Sequence, residues 1–204
     1  MSDQFKTCVT KCDNFEHRES DEGRIRVVID GVLSYPHLFT PQKDKNKEDD
    51  PGKYNCVILG IKDSDAEQGL REALTRQAKN SFPKLKKLPN SLKDGNEKPD
   101  EKGYEGSFSI SMNNSTKPKI YIGRKEVDAD PDGKFYPGCK VRTVSTLWTQ
   151  NNEFGKRVNL SLDMVQWLAD GERLGGSAPI DAEGGDYLAE VSADLEDEDE
   201  SLLD

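Results

Sequence analysis

Histidine, cysteine and long apolar runs are all scarce in this 204-residue chain, and each shortage removes a class of function. Two histidines and four cysteines leave few groups for metal binding or nucleophilic chemistry. Cys8, Cys12, Cys56 and Cys139 are scattered, so they make no disulfide framework and read as reduced thiols of a soluble cytoplasmic protein. No stretch of 18 apolar residues exists, which excludes a transmembrane helix and a membrane partner. The start, Met1-Ser2-Asp3-Gln4-Phe5-Lys6, lacks the apolar run of a secretory signal.

The familiar catalytic and cofactor motifs are missing too. There is no G-x-S-x-G, H-E-x-x-H, Walker loop or dinucleotide fingerprint, and Gly171 to Gly176 is glycine-rich without following a strand as a cofactor loop would. Asp128-Ala129-Asp130-Pro131-Asp132-Gly133 matches the first half of a calcium loop. The bidentate carboxylate that such a loop needs at its twelfth position is replaced by Cys139, so the segment reads as a turn. Cys8, Cys12 and His17 offer three zinc ligands with a fourth from His37, Cys56 or Cys139, but the usual paired spacing is absent. The expectation is a protein that is not an enzyme, with no cofactor and no metal.

Positive charge is absent from one region altogether. Residues 177–204 hold eleven acidic residues and no Lys or Arg, ending Asp194-Leu195-Glu196-Asp197-Glu198-Asp199-Glu200-Ser201-Leu202-Leu203-Asp204. Like charges repel and little apolar surface is available for burial, so this tail is expected to be disordered. The whole chain carries a formal charge of −10, which leaves residues 1–176 near +1. The acidity is therefore a tethered polyanion on a nearly neutral body, joined through the linker Gly175-Gly176-Ser177-Ala178-Pro179. Such an appendage often accompanies a surface that binds another polyanion.

What is present in the body is mostly strand. Residues 24–33, 54–61, 107–112, 119–122, 139–148 and 157–162 are short, rich in Val, Ile, Thr and aromatics, and separated by Gly, Pro, Asn and Asp. One helix stands out: Ser64-Asp65-Ala66-Glu67 is a capping box, followed by Leu70, Ala73, Leu74 and Ala78 at helical spacing. Gly69 weakens it by about 1 kcal/mol relative to Ala, and Pro83 limits its end. A short helix or a strand end is expected over 163–169. Five or six strands with one inserted helix predict a small β-barrel, decorated by loops at 36–53 and 84–106.

Alternation assigns faces to these strands. Lys140, Arg142, Val144, Thr146 and Trp148 lie opposite Val141, Thr143, Ser145 and Leu147. Arg157, Asn159 and Ser161 oppose Val158, Leu160 and Leu162, and Ser107, Ser109 and Ser111 oppose Phe108, Ile110 and Met112. Arg24 and Arg26 share a face that Ile25, Val27 and Ile29 do not. Each strand thus has one core side and one side of cations, small polar groups and an aromatic. That second side is either an ordinary solvated face or a surface for single-stranded nucleic acid, with cations for phosphates and rings for bases. Basic clusters strengthen the second reading: Lys79, Lys84, Lys86, Lys87 and Lys93; Lys117, Lys119, Arg124 and Lys125 around Tyr121; and Lys134 beside Phe135 and Tyr136. Trp167 is assigned to the core.

An ordered set of motifs resembles the phage-encoded single-stranded DNA-binding proteins. It comprises Ser34-Tyr35-Pro36-His37-Leu38-Phe39, Lys53-Tyr54, Leu92-Lys93-Asp94-Gly95, Gly103-Tyr104-Glu105-Gly106, Lys117-Pro118 and Phe135-Tyr136-Pro137-Gly138-Cys139. Val158 to Leu162 with Val165-Gln166, and Asp170 to Gly176, complete it. The resemblance implies an OB fold, a five-stranded Greek-key β-barrel. It also implies coating of single strands in phage DNA replication, recombination and repair in the host bacterial cytoplasm, and contact with polymerase, helicase or primase through the tail. The expected organisation is an N-terminal arm at 1–22, the barrel at 23–174, and linker with tail at 175–204. The candidate DNA contacts are Arg24, Arg26, Tyr35, Lys53, Tyr54, Tyr104, Tyr121, Arg124, Lys125, Tyr136, Lys140, Arg142, Trp148 and Arg157. The partner-binding candidates are Asp194, Glu196, Asp197, Glu198, Asp199 and Glu200. A homodimer stays open, as do two other functions: an interaction or assembly protein with an acidic docking tail, and a metal-dependent nucleic-acid enzyme using Asp128 to Asp132.

Overall fold

The computed structural model describes residues 5–175 apart from 48, 85–89, 131 and 154. Its strands are β1 (Thr7–Cys12), β2 (Phe15–Glu19), β3 (Ile25–Gln42), β4 (Lys53–Ile61), β5 (Leu92–Asp94), β6 (Ser107–Asn114), β7 (Lys119–Ile122), β8 (Lys125–Glu126), β9 (Lys140–Asn152) and β10 (Gly155–Ala169). The helix α1 (Asp65–Ser81) lies between β4 and β5.

Five of these strands close on themselves. β3 pairs with β4, β4 with β6, β6 with β10, β10 with β9, and β9 returns to β3. All contacts are antiparallel except the β6–β10 seam, at Asn113 and Ser161. This is the five-stranded barrel that the resemblance implied. Alternation drives the closure: Ile25, Val27 and Ile29 of β3, Cys56 and Ile58 of β4, and Phe108, Ile110 and Met112 of β6 all point inward. Val141 and Leu147 of β9 join them, as do Val158, Leu160 and Leu162 of β10. Each large side chain buried here contributes about 1.5–3 kcal/mol relative to exposure. The polar residues among them are bonded, Thr143 donating to the Ile29 carbonyl at 3.1 Å and Ser145 to the Met112 sulfur at 3.0 Å.

The strands outrun their expected lengths where their partners do. β9 and β10 form a long hairpin, and the 163–169 segment is the end of β10 rather than a helix. β3 continues past residue 33 through Pro36 and Pro41 because a register break between Ser34 and His37 leaves Pro36 without a ladder position to fill. Residues 36–42 are therefore strand, and the loop shrinks to 43–52.

The helix begins as its sequence requires. The Ser64 hydroxyl accepts from the Glu67 amide at 3.3 Å, and Ala66, Leu70, Ala73 and Leu74 are buried against the barrel. Gly69 has a packing reason: a Cβ there would stand 2.7 Å from the Phe15 ring. Phe15 belongs to the β1–β2 hairpin, whose second strand pairs with β3 from Phe15↔Ile29 to Glu19↔Ile25. Within the expected arm, Phe15 thus joins the core of the barrel, with Cys12 packed partly against it.

A buried histidine sits at that junction. His17 is 2% exposed, with Nε2 3.3 Å from Glu19 Oε1, and Arg76 of α1 ion-pairs with Glu19. Burial lowers the His17 pKa, outweighing the Glu19 carboxylate; Arg76 pushes it the same way and Glu72 opposes. A proton therefore binds the unfolded chain more readily than the folded one. The stability that this neutral imidazole contributes is complete above its unfolded pKa of about 6.5 and is lost as pH falls through the lower folded value. Urea midpoints measured across that range should drop on acidification, and the drop should be shallower in His17→Gln; equal slopes in the two proteins would contradict this.

Candidate nucleic-acid interface

The outer face of β3, β9 and β10 gathers the first set of sequence candidates. Register places Arg26 opposite Thr146, Asp30 opposite Arg142 and Val32 opposite Lys140. Across the other seam Trp148 faces Asn159 and Gln150 faces Arg157, so Arg157 stands diagonal to Trp148 on the same face. Trp148 is 41% exposed, unusual for so large an apolar ring, with the exposed Arg157 beside it, while the exposed Lys140 stands at the far end of β9. Several cations of this face already have partners. Arg142 grips Asp30 in a fork, Nε to Oδ1 and Nη2 to Oδ2 both at 2.7 Å, which raises its pKa further. Phe5 lies over the arginines at the start of β3, its ring centroid 3.9 Å from Arg26 Cζ and 5.8 Å from Arg24 Cζ.

A second surface lies on β3 beyond its bulge, on β4 and on β6. Asn55 pairs with Asn113 and Val57 with Ser111, a small and mostly polar outer row that permits close approach of a strand. Lys53 is exposed and Tyr54 half-buried at the rim. Tyr35 occupies the bulge with φ of 46°, a left-handed conformation that is costly for a tyrosine, and it is 53% exposed. Its hydroxyl donates to Glu101 Oε2 at 2.9 Å. Phe39, half-buried on β3, makes an edge contact with Phe135, and the Lys117 amine lies 5.7 Å from its ring centroid. The sequence reading missed Phe39 and the exposed Lys43, Lys45 and Lys47 of the 43–52 loop. The alternating lysines beside Lys53 were the signal available for that loop.

A third group sits on the β7–β8 hairpin, where Arg124 and Lys125 are exposed and the Tyr121 hydroxyl donates to Glu126 at 3.0 Å. β7 pairs in parallel with β10, placing Tyr121 opposite Gln166.

Two aromatic candidates are structural. Tyr104 is 2% exposed and its hydroxyl lies 3.2 Å from that of Ser34, so its ring fills the gap beneath the 95–106 segment and presents no face to a base. Tyr136 clasps the end of the barrel: its hydroxyl donates to the Gly171 carbonyl at 3.0 Å and accepts from the Gly171 amide at 2.9 Å, while Arg173 covers its ring. Trp167 is half-buried against the core, as expected, with the Lys134 amine 4.6 Å from its ring centroid.

The metal readings find no geometry. Among the described residues no group of three His, Cys, Asp or Glu side chains is placed to hold an ion. Both Asp130 oxygens accept backbone amides, from Lys134 at 2.8 Å and Phe135 at 2.9 Å, as a turn requires. Cys56 is buried in β4, where burial pushes its thiol up to about 12. An apolar groove of about 730 Å³ beside Leu59, Ile61 and Leu168 is lined by Asp13, Asp30, Asp65 and Glu172 together with Lys140, so acidic groups outnumber the cation there.

The family model for the single-stranded DNA-binding protein of Enterobacter phage Enc34 matches residues 25–198. The chain belongs to the Enc34 single-stranded DNA-binding protein family. The Enc34 protein solved in complex with single-stranded DNA is 30% identical, with a TM-score of 0.69, and the match covers 83% of this chain and 98% of that one. A second structure of the Enc34 single-stranded DNA-binding protein is 28% identical with a TM-score of 0.67, covering 89% and 98%. Its C-terminally truncated form is similar to the same degree, 28% and 0.67, covering 82% and 96%. A comparison with curated proteins found no match. The Enc34 family and these neighbours are single-stranded DNA-binding proteins and not enzymes.

Removing the Tyr104 hydroxyl tests its reassignment. Tyr104→Phe keeps the buried ring and loses one hydrogen bond, so it should cost about 0.5–1.5 kcal/mol of stability in urea denaturation while single-stranded DNA affinity stays at the wild-type value.

Proposed function

We propose that this chain is a non-catalytic, sequence-independent single-stranded DNA-binding protein that holds the strand on the outside of its barrel. The carrying observation is its likeness to a phage protein solved on single-stranded DNA, over 98% of that protein's length. OB barrels take oligonucleotides on the face of their second and third strands and on the loops joining strands one to two and four to five. In this chain those are β4, β6, the 43–52 loop and the β9–β10 turn. Tyr35, Lys53, Tyr54, Phe39 and Lys43 to Lys47 border that face, and Arg24, Arg26, Lys140, Arg142, Trp148 and Arg157 extend it across β9. Tyr121, Arg124 and Lys125, on the β7–β8 hairpin beside β10, are assigned to a longer strand. Phosphate neutralisation by these cations supplies affinity without sequence preference, and ring stacking adds to it because every base has a flat face.

The biological setting we assign is DNA replication, recombination and repair in the host bacterial cytoplasm. Asp194, Glu196, Asp197, Glu198, Asp199 and Glu200 lie outside the described residues, while the family match reaches residue 198 and so includes most of them. We assign this tail two roles: competing with DNA for the basic face, and docking polymerase, helicase or primase once DNA displaces it. A tether of this kind holds its end at an effective concentration near the millimolar range, about enough to compete with a groove of weak affinity.

Trp148 gives the first readout. A polythymidine oligomer should quench wild-type tryptophan fluorescence, Trp148→Phe should lose most of that quenching, and Trp148→Ala should weaken binding by about 1–3 kcal/mol. An unquenched wild type, or preference for duplex or RNA across a salt series, would overturn the reading. Deleting residues 177–204 should tighten binding at low salt and change it little at high salt, where screening already silences the tail.

A further inference from the structure

The bulge of β3 holds an anion site that is already filled by the protein itself. Glu101 stands beside Tyr35 and uses both carboxylate oxygens: Oε1 accepts from the Lys98 amine at 2.7 Å and Oε2 from the Tyr35 hydroxyl at 2.9 Å. Lys98 lies between two rings, its amine 5.6 Å from the Tyr35 centroid and 4.9 Å from that of Tyr104. Tyr104 is fixed from below through Ser34. Lys98 itself follows the 3-10 turn at Gly95–Glu97, with its amide donating to the Gly95 carbonyl at 2.9 Å. The floor of the site is therefore built, while Tyr35 and Glu101 are its open side. The arrangement of two donors converging on two oxygens of one anion is what a backbone phosphate would also satisfy.

We propose that Lys98 and the Tyr35 hydroxyl form a phosphate site for single-stranded DNA, and that Glu101 is its internal occupant, displaced when DNA binds. The proposal rests on the reading of this chain as a DNA-binding protein and adds residues that the strand patterns did not nominate. The consequence is an exchange rather than a simple capture. Lys98 trades one anion for another, and the freed Glu101 carboxylate faces the phosphate as a like charge. Tyr35, released from Glu101, keeps its exposed ring for a base while its hydroxyl turns to the backbone. The left-handed φ at Tyr35 holds its ring out from the sheet in both states.

The test is a double-mutant cycle with a polythymidine oligomer, across salt, in the full-length protein. Glu101→Gln empties the site, so affinity should rise about two- to fivefold at low salt, the worth of one partly exposed ion pair. The salt dependence should steepen by about 0.7 in the log–log slope, one additional phosphate contact on a single strand. Lys98→Gln should weaken binding, and Glu101→Gln placed on top of Lys98→Gln should gain nothing. Tyr35→Phe keeps the ring but removes one of the two donors, so in the Glu101→Gln background it should weaken binding about two- to tenfold, whereas Tyr35→Ala should lose the stacking contribution as well. Equal gains from Glu101→Gln with and without Lys98 would mean that the carboxylate acts only through general repulsion, and would overturn the proposal. So would an unchanged affinity in Glu101→Gln alone. A wild-type protein that fails to bind the oligomer would instead overturn the DNA-binding reading itself.

Discussion

Strand β3 is the constraint on which the rest of the molecule depends. Over 18 residues it pairs with β2 and β9 in its first half and with β4 in its second, so it takes part in two of the five seams of the barrel and carries the β1–β2 hairpin as well. A straight strand cannot serve partners on such different bearings. The register break between Ser34 and His37, with Tyr35 in a left-handed conformation, makes the change of direction. Pro36 falls inside this break, where a missing amide costs no ladder bond. The distortion that completes the fold also sets an aromatic ring outside it, beside the small polar rows of β4 and β6.

Electrostatics on the outer surface follow one pattern. Four outer cations, Arg142 on β9 and three in turns or loops, have carboxylates within reach: Arg142 with Asp30, Lys62 with Asp94, Lys98 with Glu101, and Lys117 with Asp128. A nearly neutral body thus carries a cationic surface whose charge is balanced locally. Such pairs contribute little to stability in water, so their partners can be exchanged cheaply. In the proposed function, binding of a polyanion to this surface substitutes one anion for another, and the acidic tail is assigned the same principle on a longer tether. Strong salt dependence is built into this design.

The barrel was legible because its information is local and periodic. The inward rows of β3, β6, β9 and β10 are the apolar half of each alternation, and the helix start follows from Ser64 and Glu67. What the sequence hid is tertiary. The β1–β2 hairpin has no strong apolar alternation, since only Phe15 and His17 turn toward the interior, and its pairing with β3 is long-range. Tyr104 and Tyr136 sit among basic and glycine-rich residues like surface aromatics, yet hydroxyl bonds to Ser34 and Gly171 draw them inward. The pairing of Arg142 with Asp30 spans 112 residues and no local pattern announces it. Lys98 and Glu101 were passed over because a charged loop looks like any solvated one until Tyr35 is seen to meet it.

Backbone amide exchange with and without a saturating polythymidine oligomer tests the central claim most directly. Protection should appear along the outer rows of β4 and β6, at Tyr35, at the 43–52 loop and around Trp148, while amides in the β1–β2 hairpin and beside Ile61 keep their unbound rates. Protection confined to that hairpin or to the acidic groove at Ile61 and Leu168, or none on the barrel exterior, would contradict a DNA strand held on the outside of this barrel.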